Sequence, residues 1–177
     1  MIDTVRLRLT AVRPSDVDDL HEIFSGTTAQ AGDAGAFSVR EETRAWVRRR
    51  MEAAREHGLA WYVLRDRRTG ELIGNCGLFA GRTGPVEPEI GYEIVRAHRR
   101  KGYATEAVLA VLAEADAAGV ARVWATVRPR NAGSLRVAAK IGMVYSHSEL
   151  DERGDLLYFT RPRPGTGEPG RAGYGRG

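Results

Sequence analysis

The residues with the clearest chemical potential form one short run, Ile94-Val95-Arg96-Ala97-His98-Arg99-Arg100-Lys101-Gly102-Tyr103-Ala104-Thr105-Glu106-Ala107. A strand-like segment ends, a basic turn follows, and a helical pattern starts at a glycine. The first amides of a helix have no intrahelical acceptor, and the helix dipole adds positive potential there, so anions bind. Gly102 and Ala104 leave room for a phosphate to approach the main chain. Arg99, Arg100 and Lys101 place positive charge beside it. These residue types in this order describe a pyrophosphate cradle; the bland reading is a solvated, basic helix start.

Other chemistries find little support in the composition. The single cysteine, Cys76, cannot form an internal disulfide and reads as a small buried strand residue. His21, His57, His98 and His147 are scattered without ligand spacing, so no metal site is expected. The formal net charge is +4. Part of it sits in the final stretch, where Arg163, Arg171 and Arg176 face only Glu168. The body is therefore nearly balanced, and nucleic acid is not an expected partner, although local basic patches suit an anionic ligand.

The elements that must position the turn can be read from periodicity. With 177 residues, 42% apolar and 28% charged, the chain fits one globular domain with a real core. VRLRLTAV alternates as a strand does. Pro14 and Ser15 open a helix, with Ser15 and Asp18 at capping-box spacing. Ser25 to Ser38 is small and polar, a loop. A helix is predicted from about Glu41 to Glu56, with Trp46, Val47 and Met51 as its apolar stripe and Gly58 as its end. LAWYVLRD, ELIGNCGLF and EIGYEIV read as three strands. A helix over about Gly102 to Ala118, a strand ARVWATV, a helix from Asn131 to Ile141, and a final hairpin complete an α/β order β-α-α-β-β-β-α-β-α-β-β. The domain spans 1–161. The Gly/Pro/Arg-rich segment 162–177 has little to bury and reads as a disordered tail. No apolar run reaches the length of a membrane span and the start lacks a signal-peptide core, so no membrane partner and a cytoplasmic location are expected.

Arg99-x-x-Gly102-x-Ala104 resembles the R/Q-x-x-G-x-G/A signature of the GNAT superfamily of N-acetyltransferases. The surrounding words are similar to its RimJ/RimL-like, ribosomal-protein-alanine-acetyltransferase-like branch. EIGYEIV precedes the turn, GYATEA follows it, Asn131-Ala132-Gly133-Ser134 opens the next helix, and Lys140-Ile141-Gly142-Met143 closes it, after an opening TVRLRLTAVRPSD. The resemblance covers roughly residues 4 to 161. It implies a mixed, splayed central sheet flanked by helices. Acetyl-CoA is the implied co-substrate, its pantetheine lying in the V between the strand ending at Ile94-Val95 and the strand Ala121–Val127. Main-chain groups of Ile94 and Val95 would bond the pantetheine. Amides from Arg99 to Thr105, Tyr103 among them, would hold the pyrophosphate. Asn131 would bond the co-substrate from the other lip, or cap the helix it opens, or both.

The resemblance also implies the reaction, attack of a neutral amine on the thioester. The position where many family members carry a thiolate-protonating tyrosine is Ala138 here. Ser134 is the branch's substitute, with a local backbone-bonding role as the alternative. The Val95 amide is the expected oxyanion donor. A base must take the amine proton, and Glu89 and Glu93 share one strand face, with Glu87 just before it. Taken singly, each reads first as a solvated strand-end charge. An α-amine, with a reference pKa of roughly 7.7–8.0 against about 10.4 for lysine, needs the least help. The expected acceptor is thus a protein N-terminus or a small-molecule amine, with the loop from Ser25 to Ser38, which holds Asp33, lining its pocket. Three further readings stay open: a catalytically silent acyl-CoA-binding module, favoured only by Ala138; a ribosome- or RNA-associated binder using the basic tail; and assembly as a homodimer.

Overall fold

The computed structural model describes residues 1–25 and 37–163. Twelve elements follow one another among these residues: β1 (Ile2–Asp3), β2 (Leu7–Ala11), α1 (Val17–Ser25), α2 (Arg40–His57), β3 (Trp61–Asp66), β4 (Leu72–Gly81), β5 (Gly84–Ile94), α3 (Tyr103–Ala117), β6 (Arg122–Val127), α4 (Ala132–Lys140), β7 (Val144–Asp151) and β8 (Gly154–Pro162). The order is the expected one, preceded by the short β1. The strands form one mixed sheet, β1-β2-β3-β4-β5-β6-β8-β7. Neighbours are antiparallel except β5 and β6, which run parallel and are joined through α3.

Side chains of successive strand residues alternate between the two faces and feed two cores. Tyr62 and Leu64 join Leu7, Leu9, Ile73, Ile90 and Ile94 beneath Val108, Val111 and Leu112 of α3. Trp61 and Val63 face the other way, onto Leu20, Ile23 and Phe24 of α1 and Trp46 and Val47 of α2. One face is thus aliphatic and lies under α3 and α4. The other is aromatic, with Phe24, Trp46, Trp61 and Phe79 linked edge to face at centroid distances of 5.0, 5.3 and 6.0 Å.

Local details differ from expectation in three places. The Ser15–Asp18 capping box does not form; Asp16 does the capping, accepting from the Arg13 amide at 2.7 Å around a 3-10 turn at Pro14–Asp16. Met51 is 38% exposed, because the buried stripe of α2 is Thr43, Trp46 and Val47. The last strand also extends to Pro162, with the Arg163 amide donating to Ala121 O at 2.9 Å. The tail assigned to 162–177 otherwise lies outside the described residues, as does nearly all of the loop from Ser25 to Ser38.

Candidate active site

The parallel pair β5 and β6 meets at one register pair among the described residues, Glu89↔Trp124, and then separates toward Ile94 and Val127. A buried carboxylate pins the apex. Glu89, only 2% exposed, accepts from the Arg82 amide through Oε1 and from Thr126 Oγ1 at 2.8 Å through Oε2. Trp124 Nε1 donates to Glu87 at 2.7 Å just beside it. Glu87 and Glu89 therefore have structural partners on β6 or the β4–β5 turn, and each Glu89 oxygen already accepts one hydrogen bond from the protein.

The phase of the β4–β5 ladder decides which main-chain groups face the opening. The Val95 amide donates to Ile73 O at 2.9 Å, and Val95 O accepts from His98 N at 2.8 Å. The oxyanion role expected of Val95 is therefore not open to it; its amide hydrogen is held inside the sheet. Antiparallel pairs alternate between bonded and non-bonded, and Ile94 is opposite Gly74 in the next, non-bonded pair. By that alternation the amides of Tyr92 and Ile94 point away from β4 and into the gap toward β6. Ile94 O is already taken by Arg99 Nε at 2.9 Å, which ties the basic turn back to the strand end.

The turn itself has the form an anion needs. Gly102 caps α3 in the left-handed region at φ +85°, where a side chain is strained, and no side chain caps the first amides of the helix. The acid of that first turn, Glu106, is drawn away from the opening. It accepts from Thr4 Oγ1 at 2.6 Å, from the Arg6 amide at 2.8 Å and from Arg6 Nε at 2.7 Å. Arg6 also donates to Lys101 O at 2.9 Å and lies 4.3 Å from the centre of the Tyr103 ring. Arg100 and Lys101 are exposed, and Arg99, Tyr103, Ala104 and Thr105 are half-buried around the same corner. The Thr4–Arg6–Glu106 lock escaped the sequence reading, because its members are a hundred residues apart and join only when β2 packs beside α3.

On the other lip, Asn131 Oδ1 accepts from the Ser134 amide at 3.1 Å, so Asn131 caps α4. Ser134 lies one turn into the helix and next to Tyr92, whose phenol is buried without a well-formed hydrogen bond. Burial raises the Tyr92 pKa, and the neighbouring Ser134 hydroxyl opposes that rise. Ala138, buried in the aliphatic core, fills the place of the tyrosine found elsewhere in the superfamily. Tyr92 was not singled out from sequence, although its alternation with Glu93 in EIGYEIV places it on the α4 side.

Glu93 differs from Glu89 in every respect but its face. Its Oε1 is buried and makes no hydrogen bond. Burial pushes its carboxyl up to about 7, against the opposing pull of the Arg99 guanidinium. Between the two glutamates, a Cβ at Gly91 would meet the Trp61 ring at 2.8 Å and Phe79 at 3.2 Å, so β5 passes directly beneath the aromatic wall. A cleft of about 370 Å³ opens on this side, lined by Phe79, Gly81, Arg82, Glu89, Thr126 and Arg153.

A parallel pair splays below an uncapped, glycine-led helix start, the arrangement that the resemblance implies for an acyl-CoA-dependent transferase. Residues 6–144 match the Acetyltransferase (GNAT) domain, and the chain belongs to that family. It is 31% identical over 145 residues to the protein YkkB of Bacillus subtilis (strain 168), an overlap of 81% of this chain and 84% of YkkB. A putative GNAT-family acetyltransferase from Bordetella pertussis superposes with a TM-score of 0.80 at 25% identity, over 90% of this chain and 98% of the other. The fold is also that of a ribosomal L7/L12 α-N-protein acetyltransferase solved with coenzyme A, with a TM-score of 0.78 and 18% identity over 90% and 95% of the two chains. The protein is accordingly an acyltransferase, moving acetyl from acetyl-CoA to an amine.

Proposed function

We propose that this enzyme acetylates an α-amine, at a protein N-terminus or in a small molecule, by direct attack of the neutral amine on the thioester. We also place it in the RimJ/RimL-like branch, on the motif words around the turn rather than on remote likeness of fold. The observation that carries the reading is the pairing across β5. Glu93, half-buried and with a buried Oε1 that makes no hydrogen bond, lies on the aromatic face, and Ser134 with Tyr92 lies on the aliphatic face.

Acetyl-CoA brings an activated acyl group; the chain's residues do the rest. The amides of the α3 start, with Arg99, Arg100, Lys101 and Gly102 around them, fit its pyrophosphate. The main-chain edge of Tyr92 and Ile94 fits an extended pantetheine as a strand would. Glu93 takes the amine proton. A base near 7 suits an α-amine at roughly 7.7–8.0 far better than a lysine at about 10.4. A gap-facing amide of β5, at Tyr92 or Ile94 instead of Val95, donates to the thioester oxygen as negative charge grows there. Ser134, with the Tyr92 phenol behind it, gives its hydroxyl proton to the departing sulfur and is reprotonated from solvent, which also receives the amine proton from Glu93. The base and the acid thus serve opposite ends of the bond exchange from opposite faces of one strand.

The test is a thiol-release assay with acetyl-CoA and a panel of peptides, amino acids, polyamines and aminoglycosides. Turnover with α-amines whose pH profile carries, besides the amine's own limb, a second limb near pH 7 supports the reading. Turnover confined to lysine-like or polyamine nitrogens, with a limb set only by the amine, refutes it.

A further inference from the structure

Among the described residues, one cation on the acceptor side has no anionic partner. Arg50 projects from α2 into the aromatic face. Its guanidinium carbon lies 5.1 Å from the centre of the Trp46 ring, 4.6 Å from Trp61 and 5.1 Å from Phe79. Its Nε is buried and makes no hydrogen bond. Of the other arginines of the helix, Arg49 is exposed and four are paired. Arg44 and Arg48 pair with Glu41 at 2.5 and 3.5 Å, Arg40 with Asp18 at 3.1 Å and Arg55 with Glu56 at 3.0 Å. Among the described residues no carboxylate pairs with Arg50, and the charge that bears on it is the like charge of Arg49.

Such an arrangement is costly unless something completes it. A guanidinium offers five donors in a planar fork, and ring faces satisfy its charge only in part. Withdrawal from water, more than Arg49, pulls its pKa down to about 10. Its location gives the cost a purpose. Phe79 is at once a wall of this cage and a wall of the open cleft beside Glu89. Trp61, the nearest ring to Arg50, rests on Gly91 between the two glutamates of β5. Of the arginines that line the cleft directly, Arg82 pairs with Asp151 at 2.9 Å.

We infer that Arg50 binds a carboxylate carried by the acceptor, so that the substrate is an amine bearing an acidic group. This rests on the acetyl-transfer reading above and narrows it. A carboxylate arriving at the cage pairs bidentately with the fork and completes the ion's coordination, while the rings select for apolar surface next to it. Two sources carry that chemistry: a free amino acid, through its α-carboxylate, and a peptide N-terminus with an acidic residue close behind.

The experiment separates them with two matched pairs, leucine against leucinamide, and the C-terminally amidated peptides Ala-Glu-Gly against Ala-Gln-Gly. Each is assayed with the parent, Arg50→Met and Arg50→Lys. In at least one pair the parent prefers the acidic member. Arg50→Met lowers kcat/KM for that member by roughly tenfold or more, mainly through KM, and leaves the neutral member within about twofold. Arg50→Lys falls between. Because each pair is compared across enzymes, the basicity of the amine cancels. Should Arg50→Met fail to fold, Arg50→Lys decides: a loss confined to the acidic member of the preferred pair supports the inference, and an unchanged preference relative to the parent overturns it. Parent turnover without preference for acid in either pair, or an equal loss for both members in Arg50→Met, overturns the inference while sparing acetyl transfer. Failure to acetylate any amine removes both.

Discussion

The two faces of β5 are built from the same alternating segment and do opposite work. Toward α3 and α4 the strand presents Ile90, Tyr92 and Ile94 to an aliphatic core closed by helix packing, with one polar contact region at Ser134. Toward α1 and α2 it presents Glu89, Gly91 and Glu93 to an aromatic wall, a cleft and an arginine. The first face is dry and holds its hydroxyls protonated. The second holds Glu89 buried and paired, and keeps Glu93 and Arg50 half-buried, with burial shifting both toward their neutral forms. Their difference shows how one strand can serve both reactants without mixing them. Main-chain groups at the splay belong to the acyl donor, and side chains on the aromatic face belong to the amine.

Removing the base breaks the comparison most sharply. Glu93→Gln should lower kcat by about 10²- to 10⁴-fold with acetyl-CoA affinity unchanged, as measured by steady-state kinetics and calorimetry. Below about pH 7 the parent's kcat/KM should fall with the slope of two groups, the amine and Glu93, and the variant should keep only the amine's limb. Stability supplies an independent check. A carboxyl whose pKa is raised on folding binds more protons in the native state, so stability falls as pH rises from the ordinary carboxylate range toward 7. Glu93→Gln should therefore melt higher than the parent above pH 7. Glu89→Gln should melt lower, since it sets an amide nitrogen against a donor of Arg82 or Thr126.

The donor side breaks at Gly102. A glutamate there is strained at φ +85° and puts a negative charge where the phosphates belong. Gly102→Glu should weaken coenzyme A by roughly a hundredfold or more in calorimetry, the loss of about two charge-assisted bonds. A folded variant with parental affinity would move the cradle elsewhere.

The basic turn, the glycine-led helix and the order of elements were legible in the sequence because each depends on neighbours within a few residues. What the sequence hid depends on partners far along the chain. Glu89 and Glu93 look alike in PEIGYEIV, and only Thr126 of β6 and the turn at Arg82 separate them. Val95 looked like a free strand end, yet the hairpin register turns its amide inward and those of Tyr92 and Ile94 outward. Arg50 was lost in the run Arg48-Arg49-Arg50. Its spacing, four after Trp46 and three after Val47, did place it on the buried stripe, one position before the exposed Met51.

A smaller effect is expected on the aliphatic face. Ser134→Ala should reduce kcat by roughly ten- to a hundredfold while changing acetyl-CoA binding far less, as for a group acting on the departing sulfur. Tyr92→Phe should reproduce part of that loss, because Ser134 then loses the buried phenol behind it. Equal kcat in Ser134→Ala and the parent would leave this face with packing alone.

The smallest effect tests whether Asn131 binds the co-substrate or only holds Ser134 in place. Its Oδ1 already accepts from the Ser134 amide at 3.1 Å, in the geometry of a helix cap. Losing such a cap costs about 1 kcal/mol. Asn131→Ala should therefore lower thermal stability by a few degrees and loosen the first turn of α4, reducing kcat slightly through Ser134. Asn131→Asp and Asn131→Ser keep a capping oxygen and should restore both stability and rate if the cap is the whole role. If Asn131 also donates its amide nitrogen to the acyl donor, neither substitution can replace that bond. The KM for acetyl-CoA would then stay raised in both while the melting temperature recovers. Melting curves and acetyl-CoA titrations on these three variants separate the two roles. Full recovery of both quantities in Asn131→Ser would assign Asn131 to the helix alone.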